Sequence, residues 1–199
     1  MPIKSKNILA VEHRVSEQDR WHRQGHRGGV MWFTGLPGSG KTTLAFELER
    51  RLFDQGKQVY VLDGDNLRHG LTSDLGFSPE ERSENIRRVG EVAALYAGAG
   101  MIVLTAFISP YRADRRRARE AAKGQFHEIY LSASLEVCEE RDPKGHYERA
   151  RRGEIPDFTG VTAPYETPEQ AELEIDTGTL SVADSLQAVD EYVATAFRL

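Results

Sequence analysis

Short apolar runs alternate with longer amphipathic segments along most of this 199-residue chain. An apolar run bounded by turn-forming residues is typical of a buried strand, whereas apolar residues at three- and four-residue spacing are typical of a helix with one buried face. The pattern predicts strands over residues 30–34, 58–62, 101–108, 126–131 and 173–176. It predicts helices over residues 17–24, 41–53, 79–97 and 181–197, and a further helical stretch that begins at Pro110.

The order of these elements predicts the fold class. Strands that alternate with amphipathic helices favour an α/β domain, in which helices cover both faces of a parallel sheet. We therefore expect one domain over residues 1–199, with a five-stranded parallel sheet and an N-terminal extension over residues 1–28. Residues 142–169 are polar, rich in glycine and proline and weakly periodic. Such a stretch inside a compact domain is typical of a mobile lid.

Composition and charge narrow the classes of partner. A formal net charge of −5 argues against broad, non-specific binding to nucleic acid. Cys138 is the only cysteine, so an intrachain disulfide and a cysteine-built metal cage are excluded. No apolar stretch approaches the ~20 residues that cross a bilayer, and the N-terminus lacks the apolar run of a secretory signal. We expect a cytoplasmic protein with no nucleic-acid or membrane partner.

Residues 35–42 match the pattern G-x-x-x-x-G-K-[ST], with a predicted strand before it and a predicted helix after it. In that context the motif forms a P-loop, whose backbone N–H groups and helix N-terminus bind phosphate oxygens. We expect Lys41 to reach the β- and γ-phosphates of ATP and Thr42 to place its hydroxyl on Mg²⁺. The predicted ATP-binding residues are Gly35, Leu36, Pro37, Gly38, Ser39, Gly40, Lys41, Thr42 and Thr43.

The segment after the second predicted strand favours a small-molecule kinase among the P-loop proteins. It contains Asp63, Asp65 and Arg68. A carboxylate at a strand end near the P-loop can organise Mg²⁺ and can orient or deprotonate an attacking hydroxyl group. An arginine three residues further on can hold an anionic acceptor. The sequence has no Asn-Lys-x-Asp guanine-reading motif, which argues against a GTP switch. The alternative for Asp65 is a merely solvated loop acid.

Eight motifs along the chain, in order and at matching spacing, resemble the adenylylsulfate (APS) kinase family. They are GLPGSGKTT (35–43), DGDNLRHGL (63–71), DLGFS (74–78), ENIRR (84–88), FISPYR (107–112), CEERDPKG (138–145), FTG (158–160) and PYE (164–166). The resemblance implies a P-loop kinase fold and a reaction in which ATP phosphorylates the 3′-hydroxyl of APS. The products would be 3′-phosphoadenylylsulfate (PAPS) and ADP. The motifs cover almost the whole chain, so together they are far more specific than the P-loop alone.

The resemblance also implies roles for individual residues. Asp65 would orient the acceptor hydroxyl or take its proton, and Asp63 would support the metal shell or the loop. The implied catalytic set is Lys41, Asp63, Asp65 and Ser109. The implied APS-binding residues are Asp65, Arg68, Phe77, Arg82, Asn85, Ile108, Ser109, Lys144 and Phe158, with Phe77 and Phe158 on either side of the adenine. Mg²⁺ would accompany ATP. A homodimer is expected from the family, and a separate ATP sulfurylase is a possible partner.

Several alternatives stay open at the level of sequence. Phe77 could be an ordinary core residue, and the arginines of residues 112–119 are expected to form a mostly solvated helix face. Ser109 could carry a phosphoryl group as an intermediate, although direct transfer to APS is the simpler chemistry. The chain departs from the family pattern at Pro37, His146 and Thr162. The rival functions are a P-loop kinase for another hydroxyl acceptor and a catalytically inactive nucleotide-binding regulator.

Overall fold

The computed structural model describes residues 7–9 and 11–199, and its centre is a five-stranded parallel sheet in the order β2-β3-β1-β4-β5. The strands are β1 Gly29–Thr34, β2 Val59–Asp63, β3 Ile102–Ala106, β4 Phe126–Leu131 and β5 Leu173–Ile175. The helices are α1 Glu17–Gln24, α2 Lys41–Asp54, α3 Gly64–Leu67, α4 Pro79–Gly98, α5 Arg112–Ala121, α6 Leu135–Arg141, α7 His146–Arg151 and α8 Val182–Ala196. The predicted α/β fold with five parallel strands is confirmed.

Two apolar cores lie on opposite faces of this sheet. Met31 and Phe33 of β1 pack with α2 and α8, whereas Val30 and Trp32 of the same strand pack with α4 and α5. Because successive side chains of a strand point to opposite faces, a strand buried on both faces reads as a continuous apolar run. The predicted placement of helices on both faces of the sheet is therefore confirmed.

The predicted boundaries differ from the structure mainly around the third strand. β3 ends at Ala106 rather than at residue 108, because the chain leaves the sheet and Ser109 takes a positive φ of 42°. Helix α5 begins at Arg112 rather than at Pro110, since Tyr111 still has an extended backbone. The short helices α3, α6 and α7 were not predicted, because each has only four to seven residues and offers too little periodicity.

The segment over residues 142–169 is more ordered than its composition suggests. It contains α7, and Tyr147, Ala150 and Phe158 are buried there in a small apolar cluster with Cys138 of α6. Thr162, one of the departures from the family pattern, accepts a hydrogen bond from the backbone N–H of Phe158 at 2.9 Å. The mobility of this segment stays a prediction.

The register of the parallel strands brings the candidate site residues to one edge of the sheet. Asp63 at the end of β2 pairs with Ala106 of β3, which in turn pairs with Phe33 of β1. The P-loop, the Asp63 turn and the residues after β3 therefore leave the sheet side by side. Ligands of open α/β sheets bind beyond the carboxyl ends of the strands, so this edge is the place to seek the site.

Candidate active site

The P-loop follows β1 and curls closely against neighbouring backbone. Gly35 has a φ of 151°, and a Cβ atom built there would lie 2.7 Å from the carbonyl oxygen of Leu131. Gly38 has a φ of 79°, and its Cβ would lie 2.9 Å from the carbonyl oxygen of Cys138. Only glycine fits both the conformation and the space at these two positions. The conformation of the loop itself therefore requires glycine at positions 35 and 38, independently of any ligand.

Lys41, the first residue of α2, is buried beneath this loop. Its Nζ atom donates to the carbonyl oxygens of Gly35 and Leu36 at 2.9 and 2.7 Å, and to Ser39 Oγ at 3.3 Å. Burial lowers the pKa of Lys41 to about 7, because removal from water disfavours the ammonium form. The side chain is held inside the loop, where phosphate oxygens would be the natural acceptors for its protons.

A hydroxyl and a carboxylate meet beside the loop. Thr42 Oγ1 donates to Asp63 Oδ2 at 3.0 Å. The other oxygen of Asp63 accepts from the backbone N–H groups of Asp65 and Asn66 at 3.0 and 3.3 Å, so Asp63 is also the N-cap of α3. One buried carboxylate therefore fixes Thr42 of the P-loop relative to the turn that carries Asp65. Both oxygen ligands suit a hard cation such as Mg²⁺.

Asp65 and Lys144 bring two separate segments together at the open side of the site. The carboxylate of Asp65 is in direct contact with Lys144 Nζ, and 71% of the Asp65 side chain is exposed. Lys144 lies in the turn before α7, which Asp142 stabilises by accepting backbone N–H groups of His146 and Glu148 at 2.8 and 3.1 Å. The predicted lid residue Lys144 and the predicted catalytic residue Asp65 thus lie in one place.

Phe77 is an exposed ring flanked by arginines and not a core residue. Its relative exposure is 61%. The Arg68 guanidinium lies 4.1 Å from the ring centroid, and Arg68 Nη1 donates to the carbonyl oxygens of Leu75 and Gly76 at 2.9 and 3.1 Å. Such an exposed aromatic face beside cations can stack on a purine base. The sequence alternative that placed Phe77 in the core is wrong.

Arg82 connects the Phe77 turn to the segment that carries Phe158. It donates to the carbonyl oxygens of Phe77 and Asp157 at 2.8 and 2.7 Å, and to Thr159 Oγ1 at 3.2 Å. Phe158 itself is buried, with its ring 5.0 Å from that of Tyr147. The two phenylalanines predicted to sandwich a base therefore differ in exposure, and Arg82 joins the chain segments on which they lie.

Asn85 is buried in α4, and its Oδ1 atom has no hydrogen-bond partner among the described residues. A buried amide oxygen without a partner costs free energy unless a ligand or water satisfies it. Ile108, the other predicted acceptor residue without a charge, is half-buried, and its carbonyl oxygen accepts from Thr34 Oγ1 at 2.8 Å. Asn85 is thus a buried acceptor whose donor does not come from residues 7–9 or 11–199.

Ser109 lies at the centre of a buried hydrogen-bond network. Its Oγ atom accepts from Trp32 Nε1 at 3.0 Å and donates to Thr34 Oγ1 at 3.0 Å. Because the Thr34 proton goes to the carbonyl oxygen of Ile108, the Tyr165 hydroxyl donates to Thr34 Oγ1, also at 3.0 Å. Burial raises the pKa of Tyr165 and keeps it in this protonated, donating form. Ser109 is only 2% exposed, and its hydroxyl group forms hydrogen bonds with Trp32 and Thr34 inside the protein.

The prediction of a mostly solvated arginine face over residues 112–119 is wrong for Arg115. This residue is buried and pairs with Glu128 of β4, because α5 packs directly on the sheet at this point. Arg119 of the same helix pairs with Glu172 at the surface. Periodicity could not reveal the burial of Arg115, since a charged residue at an inward position looks like a break in the apolar pattern.

Comparisons with known proteins show the family to which this chain belongs. A sequence profile described as adenylylsulphate kinase matches residues 27–176. The adenylyl-sulfate kinase of Staphylococcus epidermidis is 52% identical over 190 residues, which cover 95% of this chain and 96% of that relative. The chain belongs to the adenylylsulphate kinase family. The family predicted from the eight sequence motifs is thereby confirmed.

Solved adenylylsulphate kinase structures share the fold. The Mycobacterium tuberculosis APS kinase CysC, solved in complex with AMPPNP and APS, has a TM-score of 0.82 and 45% identity, over 85% of this chain and 99% of that one. A hexameric APS kinase from Thiobacillus denitrificans has a TM-score of 0.64 and 34% identity, over 85% of this chain and 30% of that one. These matches confirm the P-loop kinase fold expected of an adenylylsulphate kinase.

Proposed function

We propose that this chain is an ATP-dependent kinase that phosphorylates the 3′-hydroxyl of APS, giving PAPS and ADP. The observation that carries the proposal is the meeting, at one sheet edge, of a P-loop and an acceptor side of matching chemistry. The P-loop contains the buried Lys41, and Asp63 links Thr42 of this loop to the turn that carries Asp65. The acceptor side offers Phe77 and Arg68 for a purine and its anionic group.

The reaction is a direct transfer between two bound nucleotides. The acceptor oxygen forms a new bond to the γ-phosphorus of ATP, and the bond from that phosphorus to the β,γ-bridging oxygen breaks and leaves ADP. Asp65 orients the acceptor hydroxyl and accepts its proton. Lys41 donates to the phosphates and balances the charge that spreads over them. Arg68 and Arg82 supply the planar donors that a phosphosulfate needs.

Thr42 and Asp63 are the residues that would hold Mg²⁺ with ATP. Their oxygen atoms are 3.0 Å apart at the P-loop, and hard oxygen ligands are what Mg²⁺ prefers. When bound, the ion would neutralise negative charge on the phosphates of ATP. Across the described residues there is no cluster of three or more His, Cys, Asp or Glu side chains that could hold a metal.

Direct transfer is favoured over a phosphoserine intermediate by the surroundings of Ser109. Its hydroxyl accepts from Trp32 and donates to Thr34, and Thr34 would lose this donor if Ser109 were phosphorylated. A Ser109→Ala variant is expected to retain turnover with weaker APS binding. Complete loss of turnover in a folded Ser109→Ala variant, together with recovery of acid-stable phosphoserine from the parent, would establish the covalent route instead.

The test of the function is a coupled assay for ADP release with a panel of acceptors. We expect release that depends on APS, with PAPS identified as the product by mass spectrometry. A sugar, a nucleoside and an antibiotic hydroxyl should give only the background rate. ADP release with one of these acceptors but not with APS would favour the rival kinase class. Binding of both nucleotides without PAPS formation would favour the inactive regulator.

The remaining predictions about the whole protein belong to the same proposal. A single domain over residues 1–199, a lid over residues 142–169 and a cytoplasmic location are proposed from sequence. Within residues 7–9 and 11–199, no helix has the length and apolar character that crossing a bilayer requires.

A homodimer is supported by the exposed apolar side chains of Ile8, Leu9, Val11 and Val15, which a partner could cover. A separate ATP sulfurylase would supply APS.

A further inference from the structure

Arg115 donates three hydrogen bonds from three different nitrogen atoms while it is 2% exposed. Its Nε atom donates to Glu128 Oε1 at 2.6 Å, which supplies the countercharge. Its Nη1 atom donates to the carbonyl oxygen of Ser109 at 2.7 Å, and its Nη2 atom to the carbonyl oxygen of Glu166 at 2.6 Å. The guanidinium therefore binds two loops at once, in addition to its ion-pair partner.

Both loops belong to the acceptor side of the site. Ser109 ends the Ile108–Ser109 turn, whose backbone has a positive φ and needs outside support. Glu166 lies in the segment that begins at Phe158. A β-bridge between Thr159 and Ala163 stabilises the first part of this segment. A second bond, from the backbone N–H of Glu166 to the carbonyl oxygen of Pro110 at 2.9 Å, joins the same two loops. These hydrogen bonds therefore fix the position of one loop relative to the other.

An ordinary buried ion pair would need only Glu128. A lysine could provide that charge, but its compact ammonium lacks the planar fork that reaches two carbonyl oxygens in fixed directions. The residues of the P-loop are not among the partners of Arg115. The contacts of Arg115 therefore lie with the acceptor half of the site and not with the ATP half.

We propose that Arg115 is a positioning residue for APS, which fixes the Ile108–Ser109 turn against the segment that follows Phe158. The inference rests on the proposed function. Arg115 touches neither substrate, and its effect passes through the two loops that it joins. Loss of the bridge should loosen the APS side of the site while the P-loop keeps its geometry.

The test compares Arg115→Lys with the parent in the coupled assay, with the KM for APS and the KM for ATP measured separately. We expect the KM for APS to rise about tenfold, since small displacements of positioning groups have large effects, while the KM for ATP stays within about twofold. Arg119→Lys is the matched control: Arg119 is on the same helix and pairs with Glu172 and Glu128, yet it contacts neither loop. Its KM for APS should match that of the parent.

Two further variants separate positioning from stability. Glu128→Gln keeps the two carbonyl bonds of Arg115, so it should lower the midpoint of thermal unfolding yet leave the KM for APS near that of the parent. The double variant Arg115→Gln/Glu128→Gln removes both buried charges together, which proteins tolerate better than one unpaired charge, and it should reproduce the rise in the KM for APS.

Equal changes in both KM values, or an unchanged KM for APS in both Arg115 variants, would overturn the inference. A rise in the KM for APS as large in Glu128→Gln as in Arg115→Lys would also overturn it, because the Arg115–Glu128 ion pair would then act only through stability. A parent enzyme without APS-dependent turnover would contradict the proposed function instead. The two failures are therefore distinguishable.

Discussion

Gly38→Ala is the substitution in the P-loop whose cost can be worked out most directly from the structure. Alanine at a φ of 79° is in the left-handed region, which costs about 1–2 kcal/mol for an L-residue. The added Cβ atom would lie 2.9 Å from the carbonyl oxygen of Cys138. Ordinary carbon–oxygen contacts are about 3.3–3.6 Å, so the loop must move by roughly 0.5 Å. Crowding of this kind adds about 1–3 kcal/mol.

Gly56→Ala provides the matched control for that calculation. Gly56 has a φ of 77°, follows the C-terminal end of α2, and has no atom within 4 Å of an added Cβ. Both variants should therefore carry the same backbone cost, and only Gly38→Ala should carry the contact with Cys138. We expect Gly38→Ala to lose about 2–5 kcal/mol of unfolding free energy and Gly56→Ala about 1–2 kcal/mol.

Urea unfolding and the coupled assay together measure these effects. A displacement of the P-loop by a fraction of an ångström should lower kcat/KM for ATP by about tenfold or more in Gly38→Ala, whereas Gly56→Ala should keep the parent value. Equal stability loss in the two variants, with parent-like kinetics in both, would refute the claim that the P-loop is seated against the Cys138 carbonyl.

Three further substitutions test other parts of the account. Thr42→Val removes the hydroxyl that contacts Asp63, so it should raise the concentration of Mg²⁺ needed for half-maximal activity, as a magnesium titration would show. Phe77→Ala should raise the KM for APS by about tenfold or more and leave the KM for ATP unchanged, because a base–aromatic stack contributes about 1–3 kcal/mol. Glu84→Gln tests pH-linked stability: hydrogen bonds from Arg87 and then Arg88 lower the pKa of Glu84 to about 2. This contribution is present above the unfolded pKa near 4.5 and is lost as pH falls through about 2, so the variant should lose about 1 kcal/mol at pH 7 and approach the parent in acid.

The fold and the phosphate side of the site were predictable because their signals are local. Each strand is a compact apolar run, and the P-loop needs only eight consecutive residues between a strand and a helix. In the structure, Ser16 and Ser78 are the N-caps of α1 and α4, and each forms a capping box with the acidic residue three positions further on. The structure matches these predictions to within a few residues.

The support of the acceptor side was not predictable because it depends on contacts between distant segments. The role of Arg115 depends on its contacts with Glu128 and with two carbonyl oxygens, one of them 51 residues away in the sequence. No spacing rule connects these positions. The contacts of Lys41 with carbonyl oxygens of the loop were equally hidden, since the motif gives phosphate oxygens as the partners of this lysine. Backbone carbonyls carry no residue identity, so a sequence cannot reveal which side chains bind them.

Asp65→Asn tests whether the Asp65 carboxylate takes part in phosphoryl transfer. Asparagine keeps the size of the side chain and the backbone N–H that Asp63 binds, but it cannot accept the proton of the acceptor hydroxyl. The measurement is kcat for APS-dependent ADP release at saturating MgATP and APS, beside the KM for ATP. We predict that kcat falls by about 10²–10⁴-fold while the KM for ATP stays within about twofold. A kcat equal to that of the parent would contradict it.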